Sequence, residues 1–177
     1  GYMGWNAMSA DADEIVALSK CLVTCGVTSY LPTNHYSDTG FENNKAIANV
    51  MRSPRRGSRI LGIHMEGPFI SLEKLGSVLP DEVQPASIEL MQKYLDTSDN
   101  QIRTVTMAPE IPNAESLISF LVRKQINVCM GHSNATYSEA KRAVDLGAII
   151  TQKTGNCMRG MHHREMGLLG AALLDMR

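Results

Sequence analysis

Apolar residues recur along the chain in two alternating rhythms, one with helical spacing and one in short β-branched runs. Asp11 to Gly26 is predicted helical: Asp11 or Asp13 caps it, Ile15, Leu18, Leu22 and Val23 recur along one side, and Gly26 stops it. Val27 to Leu31 is a β-branched strand ended by Pro32, with Thr33, Asn34, His35 and Tyr36 as a loop at its tip. Glu42 to Met51 is a second helix on Ala46, Ile47 and Val50, and Ser53 to Gly57 is a loop in which Arg55 and Arg56 read as a solvated surface pair. Arg59 to Glu66 is a buried strand that stops at Gly67-Pro68. The loop from Gly67 to Pro85 is long for a compact domain, and such loops are usually functional or mobile.

The alternation continues to the far end of the chain. Helices are predicted over Ala86 to Leu95, Pro112 to Lys124 and Thr136 to Leu146, and strands over Ile102 to Met107, Ile126 to Met130 and Ala148 to Thr151. Strand and helix thus alternate about five times, which argues for parallel βαβ units in an α/β fold. Polar, Gly- or Pro-containing tips follow the strands, while the helix-to-strand joints are plain, so function is expected on one rim. A closed (β/α)8 barrel needs about 250 residues. The 177 residues here therefore predict part of such a barrel or a smaller open sheet. The ends, Gly1 without an initiator Met and Leu173 to Arg177, read as cuts within a longer protein.

Composition narrows the classes. A net charge of −1 leaves no electrostatic footprint for nucleic acid or an anionic membrane surface. No apolar run reaches the roughly 20 residues of a membrane span, and no signal peptide is visible, an absence that weighs little in a chain that begins without an initiator Met; a cytoplasmic protein is expected. Cys21, Cys25, Cys129 and Cys157 lack metal-type spacing and are expected reduced and mostly buried, with Cys21 and Cys25 sharing a helix face. The Met residues are expected to fill the core.

Chemistry concentrates at two strand tips. Glu66 closes one strand and His132 follows another, and in a barrel alternate strands can bring such groups together. A carboxylate and an imidazole on one rim suit a divalent ion, which at a catalytic centre needs about three protein ligands. The next tip offers Lys153, which when protonated has no lone pair to give and repels a cation. His64, two residues before Glu66, shares its face and is read as the residue that orients it, the alternative being a satisfied core His. His35 is read as a loop residue. Downstream, Asn156 and the His162-His163-Arg164-Glu165 cluster are dense in polar groups, with Arg164 suited to a phosphate or carboxylate. Adjacent His residues diverge on a regular element, so the pair is a weak metal motif.

Five stretches, Gly26 to Thr33, Gly62 to Ile70, Val105 to Glu110, Gly131 to Tyr137 and Asn156 to Gly170, carry a specific resemblance. With their His-x-Glu-Gly-Pro and Gly-His-Ser-x-Ala-Thr motifs they resemble the N-acetylglucosamine-6-phosphate deacetylases of the amidohydrolase superfamily. The resemblance implies a metal-dependent (β/α)8 barrel of which this chain, residues 1–177, is one part of about five βα units, without the family's flanking β-sandwich. It implies hydrolysis of the acetamide of N-acetylglucosamine 6-phosphate, in amino-sugar catabolism, by a homodimer using zinc, iron or another divalent ion. It makes Glu66 and His132 metal ligands and places Lys153 where the family usually has a third ligand, His. Asn156 and the backbone at Cys157 then contact substrate, Arg164 binds its phosphate, and Ser77 and Val78 touch the sugar, Val78 standing where many members have His. The family's general-base Asp falls beyond Arg177, so no catalytic residue is expected within the chain. The His lent by the neighbouring subunit and the upstream His-x-His strand also fall outside it. Lys153 predicts weak metal binding and opens an alternative, a catalytically impaired sugar-phosphate-binding homologue. A further reading is another amidohydrolase acting on a different amide or an amidine, against which the Asn156 to Arg164 stretch speaks.

Overall fold

The computed structural model describes residues 2–35, 40–54 and 57–175. Tyr36 and the Arg55-Arg56 pair lie outside the described residues. The chain forms two compact units that interleave in sequence: Gly1–Glu66 with Glu89–Arg103, and Gly67–Ile88 with Thr104–Arg177.

In the first unit α1 (Ala12–Thr24) is capped by the Asp11 side chain, which accepts from the Asp13 N–H. Two short strands follow, β1 (Ser29–Tyr30) and β2 (Thr33–His35), then α2 (Gly40–Arg52), β3 (Arg59–Ile60) and β4 (Ile63–Glu66). Among the described residues the named strands of this unit pair in parallel: β1 with β3, and β2 with β4 in the register Thr33 to His64, Asn34 to Met65 and His35 to Glu66. The sequence reading missed β2, since Thr33-Asn34-His35 is polar and follows a proline. The expected strand from Arg59 to Glu66 is broken at Leu61-Gly62, where the Ile63 N–H turns to the carbonyl of Gln101. Buried Ile15, Leu18, Ile47, Ile63, Met65, Met91 and Leu95 form this unit's core. Phe41 and Tyr94 stack with ring centroids 4.4 Å apart. The core also buries Asn34, Asn43 and Asn44, linked to one another by their amides.

Helix α3 (Ile88–Thr97) and strand β5 (Ile102–Met107) follow. The second unit then carries α4 (Ala114–Arg123), β6 (Asn127–Met130), α5 (Tyr137–Asp145), β7 (Ile150–Thr151) and α6 (Gly167–Leu174). β5 pairs with β6 and β6 with β7, again in parallel. Apart from the successive short strands β1–β2 and β3–β4, helices alternate with parallel strands, the α/β pattern expected. Thr136 caps α5 with its hydroxyl while Glu139 reaches back to the Thr136 N–H, a reciprocal capping box. Leu117, Ile118 and Leu121 of α4, Val128 and Met130 of β6, and Ala140 and Ala143 of α5 are buried. α6 was not foreseen: Gly-Leu-Leu-Gly-Ala-Ala-Leu-Leu is apolar all round and shows no helical stripe.

The long connection after β4 is built, with short 3-10 turns at Leu72–Lys74 and Pro80–Glu82 and buried Phe69, Ile70 and Ser71. Burial of the thiols departs from expectation. Only Cys129 is buried; Cys21 and Cys157 are half-buried, and Cys25 is exposed because α1 ends at Thr24 and leaves it as the cap. Met65, Met91, Met107, Met130 and Met158 are core residues, whereas Met3 and Met161 are exposed.

Candidate functional site

Glu66 ends β4 in the first unit, one place before Gly67-Pro68. Alternate residues of β4 face alternate sides, so half-buried His64 and Glu66 share a face while Ile63 and Met65 are buried on the other. The His64 Nδ1 lies 3.1 Å from the Thr33 hydroxyl of the neighbouring strand. This fits a residue held beside Glu66 by a fixed ring. Glu66 and its register partner His35 border a cavity of about 350 Å³ shared with Tyr2, Leu18, Tyr30 and Thr33. His35 is therefore a strand residue at the same tip rather than a loop residue. A larger cavity, about 640 Å³, opens at the strand starts around Arg59 and Arg103, away from the residues singled out in the sequence.

His132 follows β6 in the second unit and is 1% exposed. Its backbone is left-handed, with φ 49°, a conformation that non-glycine residues adopt only when neighbours hold it there. The holding contacts are visible. The Ser71 N–H donates to the His132 carbonyl at 2.9 Å, and the ring Nδ1 lies 3.0 Å from the carbonyl of Lys74. On the other side of the ring, Nε2 is 2.9 Å from the Lys153 ammonium nitrogen. A carbonyl only accepts and an ammonium only donates, so Nδ1 carries the proton and Nε2 offers its lone pair to Lys153. That is the tautomer a metal ligand needs, with the lone pair already engaged.

Lys153 is left-handed too (φ 52°), as is Cys157 (φ 50°). The Asn156 N–H donates to the Lys153 carbonyl at 2.6 Å, closing the turn between them. The two expected substrate contacts are bonded to each other: the Cys157 N–H donates to Asn156 Oδ1 at 3.0 Å. Gly76 packs against this corner. A Cβ there would lie 2.8 Å from Cys157 Sγ and 3.3 Å from the His132 ring, so the loop carrying exposed Ser77 and half-buried Val78 approaches both.

Arg164 is exposed, and its N–H donates to His162 Nδ1 at 3.2 Å. His162 and His163 do not diverge: their ring centroids are 4.1 Å apart, because the segment is a tight turn closed by paired backbone bonds between His162 and Glu165. Glu165 accepts from the N–H groups of Tyr137 (2.7 Å) and Gly167 (2.9 Å). Those bonds, the Tyr137 one foremost, hold its carboxyl below the ordinary carboxylate range. Sequence reasoning left one anchoring residue without a role. Glu110, after β5, accepts from the Ser133 hydroxyl (2.7 Å) and the Asn134 N–H (2.6 Å). The available signal was a carboxylate just past a strand tip after Ala-Pro, the same signal that drew attention to Glu66.

Thus Lys153 is brought to His132, and the 76–78 and 156–157 segments adjoin the same residue's neighbourhood. Among the described residues no group of three His, Cys, Asp or Glu side chains is arranged to hold a metal ion. The residues of the second unit do not fit one either: the lone pair His132 would give is bonded to an ammonium.

No family model matches the chain. It is 33% identical over 177 residues to N-acetylglucosamine-6-phosphate deacetylase of Vibrio furnissii, covering 98% of this chain and 44% of the relative. It is 31% identical over 179 residues to N-acetylgalactosamine-6-phosphate deacetylase of Escherichia coli O157:H7, covering 100% and 48%. Among solved structures, a mutant N-acetyl-D-glucosamine-6-phosphate deacetylase of Mycobacterium smegmatis in complex with N-acetyl-D-glucosamine-6-phosphate matches with a TM-score of 0.87 at 29% identity, over 97% of this chain and 45% of that one. The chain spans a little under half the length of the relatives it matches. The alternating parallel units are those of part of a (β/α)8 barrel. In sequence and backbone the chain corresponds to a part, a little under half, of the N-acetylglucosamine-6-phosphate deacetylases.

Proposed function

We propose that the full-length protein containing this chain hydrolyses the acetamide of an N-acetylhexosamine 6-phosphate, with N-acetylglucosamine 6-phosphate as the first substrate to test. The observation that carries this reading is the similarity over 98% of the chain to N-acetylglucosamine-6-phosphate deacetylase of Vibrio furnissii. The relative that acts on the galactosamine epimer keeps that sugar open as well. Water adds to the acetyl carbon, the C–N bond breaks, and the products are acetate and the free amino sugar phosphate. Within this chain, the Arg164 guanidinium offers forked donors to the phosphate. Asn156 and the Cys157 backbone, with Ser77 and Val78, would hold the sugar. The general base is an Asp beyond Arg177 by resemblance, so the chain itself supplies binding and orientation. The resemblance also supports a cytoplasmic homodimer and a barrel to which all of 1–177 belongs, the β-sandwich being outside it.

The zinc or other divalent ion implied by the resemblance would need Glu66, His132 and a third donor at the place of Lys153. The bond from Lys153 to His132 Nε2 supports a second reading, a sugar-phosphate-binding homologue impaired in hydrolysis. One assay separates the two. Release of glucosamine 6-phosphate and acetate from N-acetylglucosamine 6-phosphate by the purified full-length protein supports the enzyme. Tight binding of the sugar phosphate with no product supports the binding protein, and neither binding nor turnover refutes both.

A further inference from the structure

We propose that Glu110 is a positioning residue that couples the His132 turn to the 156–167 loop, so that capture of an amino-sugar phosphate depends on a carboxylate outside the substrate contacts; this rests on the reading of that loop as the substrate site. Both carboxylate oxygens are committed. One accepts from the Ser133 hydroxyl at 2.7 Å, the other from the Asn134 N–H at 2.6 Å. These are the two residues directly after His132. Ser133 is fully buried, and its hydroxyl also accepts from the Ala135 N–H at 3.0 Å, so its own proton has one direction left, towards Glu110.

The same two residues carry the bonds to the next loop. The Ser133 N–H donates to the Cys157 carbonyl and the Arg159 N–H donates to the Ser133 carbonyl, each at 3.0 Å, a short parallel bridge. The Arg159 guanidinium Nε donates to the Asn134 carbonyl at 2.7 Å. Further along that loop Glu165 bonds the Tyr137 N–H at the start of α5. The backbone N–H and carbonyl groups of Ser133 and Asn134 are thereby spent on Glu110 on one side and residues 157–159 on the other. A shift of the turn carries Cys157 and Arg159 with it, and with them the segment that ends in Arg164.

The chemistry requires a carboxylate. Two neighbouring donors need two acceptors, and an amide presents one acceptor and one donor. Glu110→Gln therefore turns an NH2 towards a hydroxyl that has nowhere else to send its proton, or towards the Asn134 N–H. Glu110→Asp keeps both acceptors on a shorter stem. Amide hydrogen exchange on the full-length protein tests the coupling without any ligand. Glu110→Gln should raise exchange about 10-fold in both 131–136 and 156–167, leaving α1 and α2 unchanged, as expected for loss of a hydrogen bond to a charged group. Glu110→Asp should restore part of the protection. In parallel, Glu110→Gln should weaken binding of N-acetylglucosamine 6-phosphate about 10-fold. Ser133→Ala removes one of the two contacts together with the acceptor of the Ala135 N–H, should raise exchange in the same two segments, and serves if Glu110→Gln does not fold. Faster exchange confined to 131–136, or rising evenly over the whole chain, overturns the coupling. If wild type does not bind the sugar phosphate at all, the substrate reading fails on its own, and the exchange pattern still decides the coupling.

Discussion

If the proposed metal reading holds, replacing Lys153 by His should strengthen the binding of a divalent ion at His132. Nε2 of His132 has one lone pair, and the Lys153 nitrogen sits 2.9 Å from it. A zinc ion on that lone pair would sit about 2.0 Å out, so ion and ammonium cannot share the place and the lysine must swing aside. Swung aside, it remains tethered nearby. A single positive charge about 4 Å from a divalent ion costs about 2 kcal/mol even at the dielectric of water, which suits an exposed side chain. That alone is about 30-fold in affinity, before any gain from an imidazole as the third donor. Left-handed backbone at residue 153, φ 52°, is no worse for His than for Lys. The assay is metal content and affinity of the full-length protein after dialysis against zinc, with Lys153→Met beside Lys153→His. Lys153→Met isolates the charge and should improve affinity by roughly the 30-fold above; Lys153→His should exceed it and approach one ion per chain. Stoichiometric zinc of equal affinity in wild type and Lys153→His would refute the reasoning.

Other perturbations follow from the same geometry. Glu165 is held below its ordinary carboxylate value by the Tyr137 and Gly167 N–H groups, with Arg159 assisting. Its folded pKa is lower than its unfolded one, so its stabilisation is complete above the ordinary value of 4.5 and lost as pH falls through the folded value. Acid titration followed by amide exchange should show 156–167 loosening in that window, and Glu165→Gln should loosen it at neutral pH and flatten the dependence. Gly76→Ala puts a Cβ 2.8 Å from Cys157 Sγ on a backbone with φ 61°. It should destabilise by about 1–3 kcal/mol in denaturant melts and shift the His132 ring resonances; unchanged resonances would contradict the packing described. Thr136→Ala removes the hydroxyl of the capping box and should cost about 1 kcal/mol in the same melts.

Much of the fold was legible because periodicity reports burial, and burial fixed most of these elements. α4 is the plain case: Leu117, Ile118 and Leu121 repeat at helical spacing and are all buried. The misses came where pattern and burial part. β2 is three polar residues that form a strand against the edge of β4, a long-range partner that local sequence does not show. α6 is apolar on every side, so it has no rhythm to detect. Cys25 was expected to share a helix face with Cys21 among mostly buried thiols, yet α1 ends at Thr24 and leaves it exposed as the cap. At the candidate site, residue types were legible and pairings were not. Glu66 and His132 stood out as strand-tip groups, and Lys153 as a cation at a third tip. That Lys153 reaches His132, and that Glu110 grips the turn behind it, depends on side chains meeting across loops.

His132, Lys153 and Cys157 are left-handed without being glycine, and all three lie in the same corner of the second unit. Each such residue costs roughly 1–2 kcal/mol relative to ordinary backbone, so the corner persists only because its bonds over-determine it. The bonds form a chain rather than standing alone: the Ser71 N–H donates to the His132 carbonyl, that of Ser133 to the Cys157 carbonyl, and that of Asn156 to the Lys153 carbonyl. Loosening one therefore releases strain at its neighbours, and effects of single substitutions here should not add. A Glu110→Gln/Lys153→Met double variant makes the point measurable. Independent sites would give the sum of the two single stability changes to within about 0.5 kcal/mol. A corner held as one piece should exceed that sum, because each single change is offset by the strain it releases and that strain can be released only once.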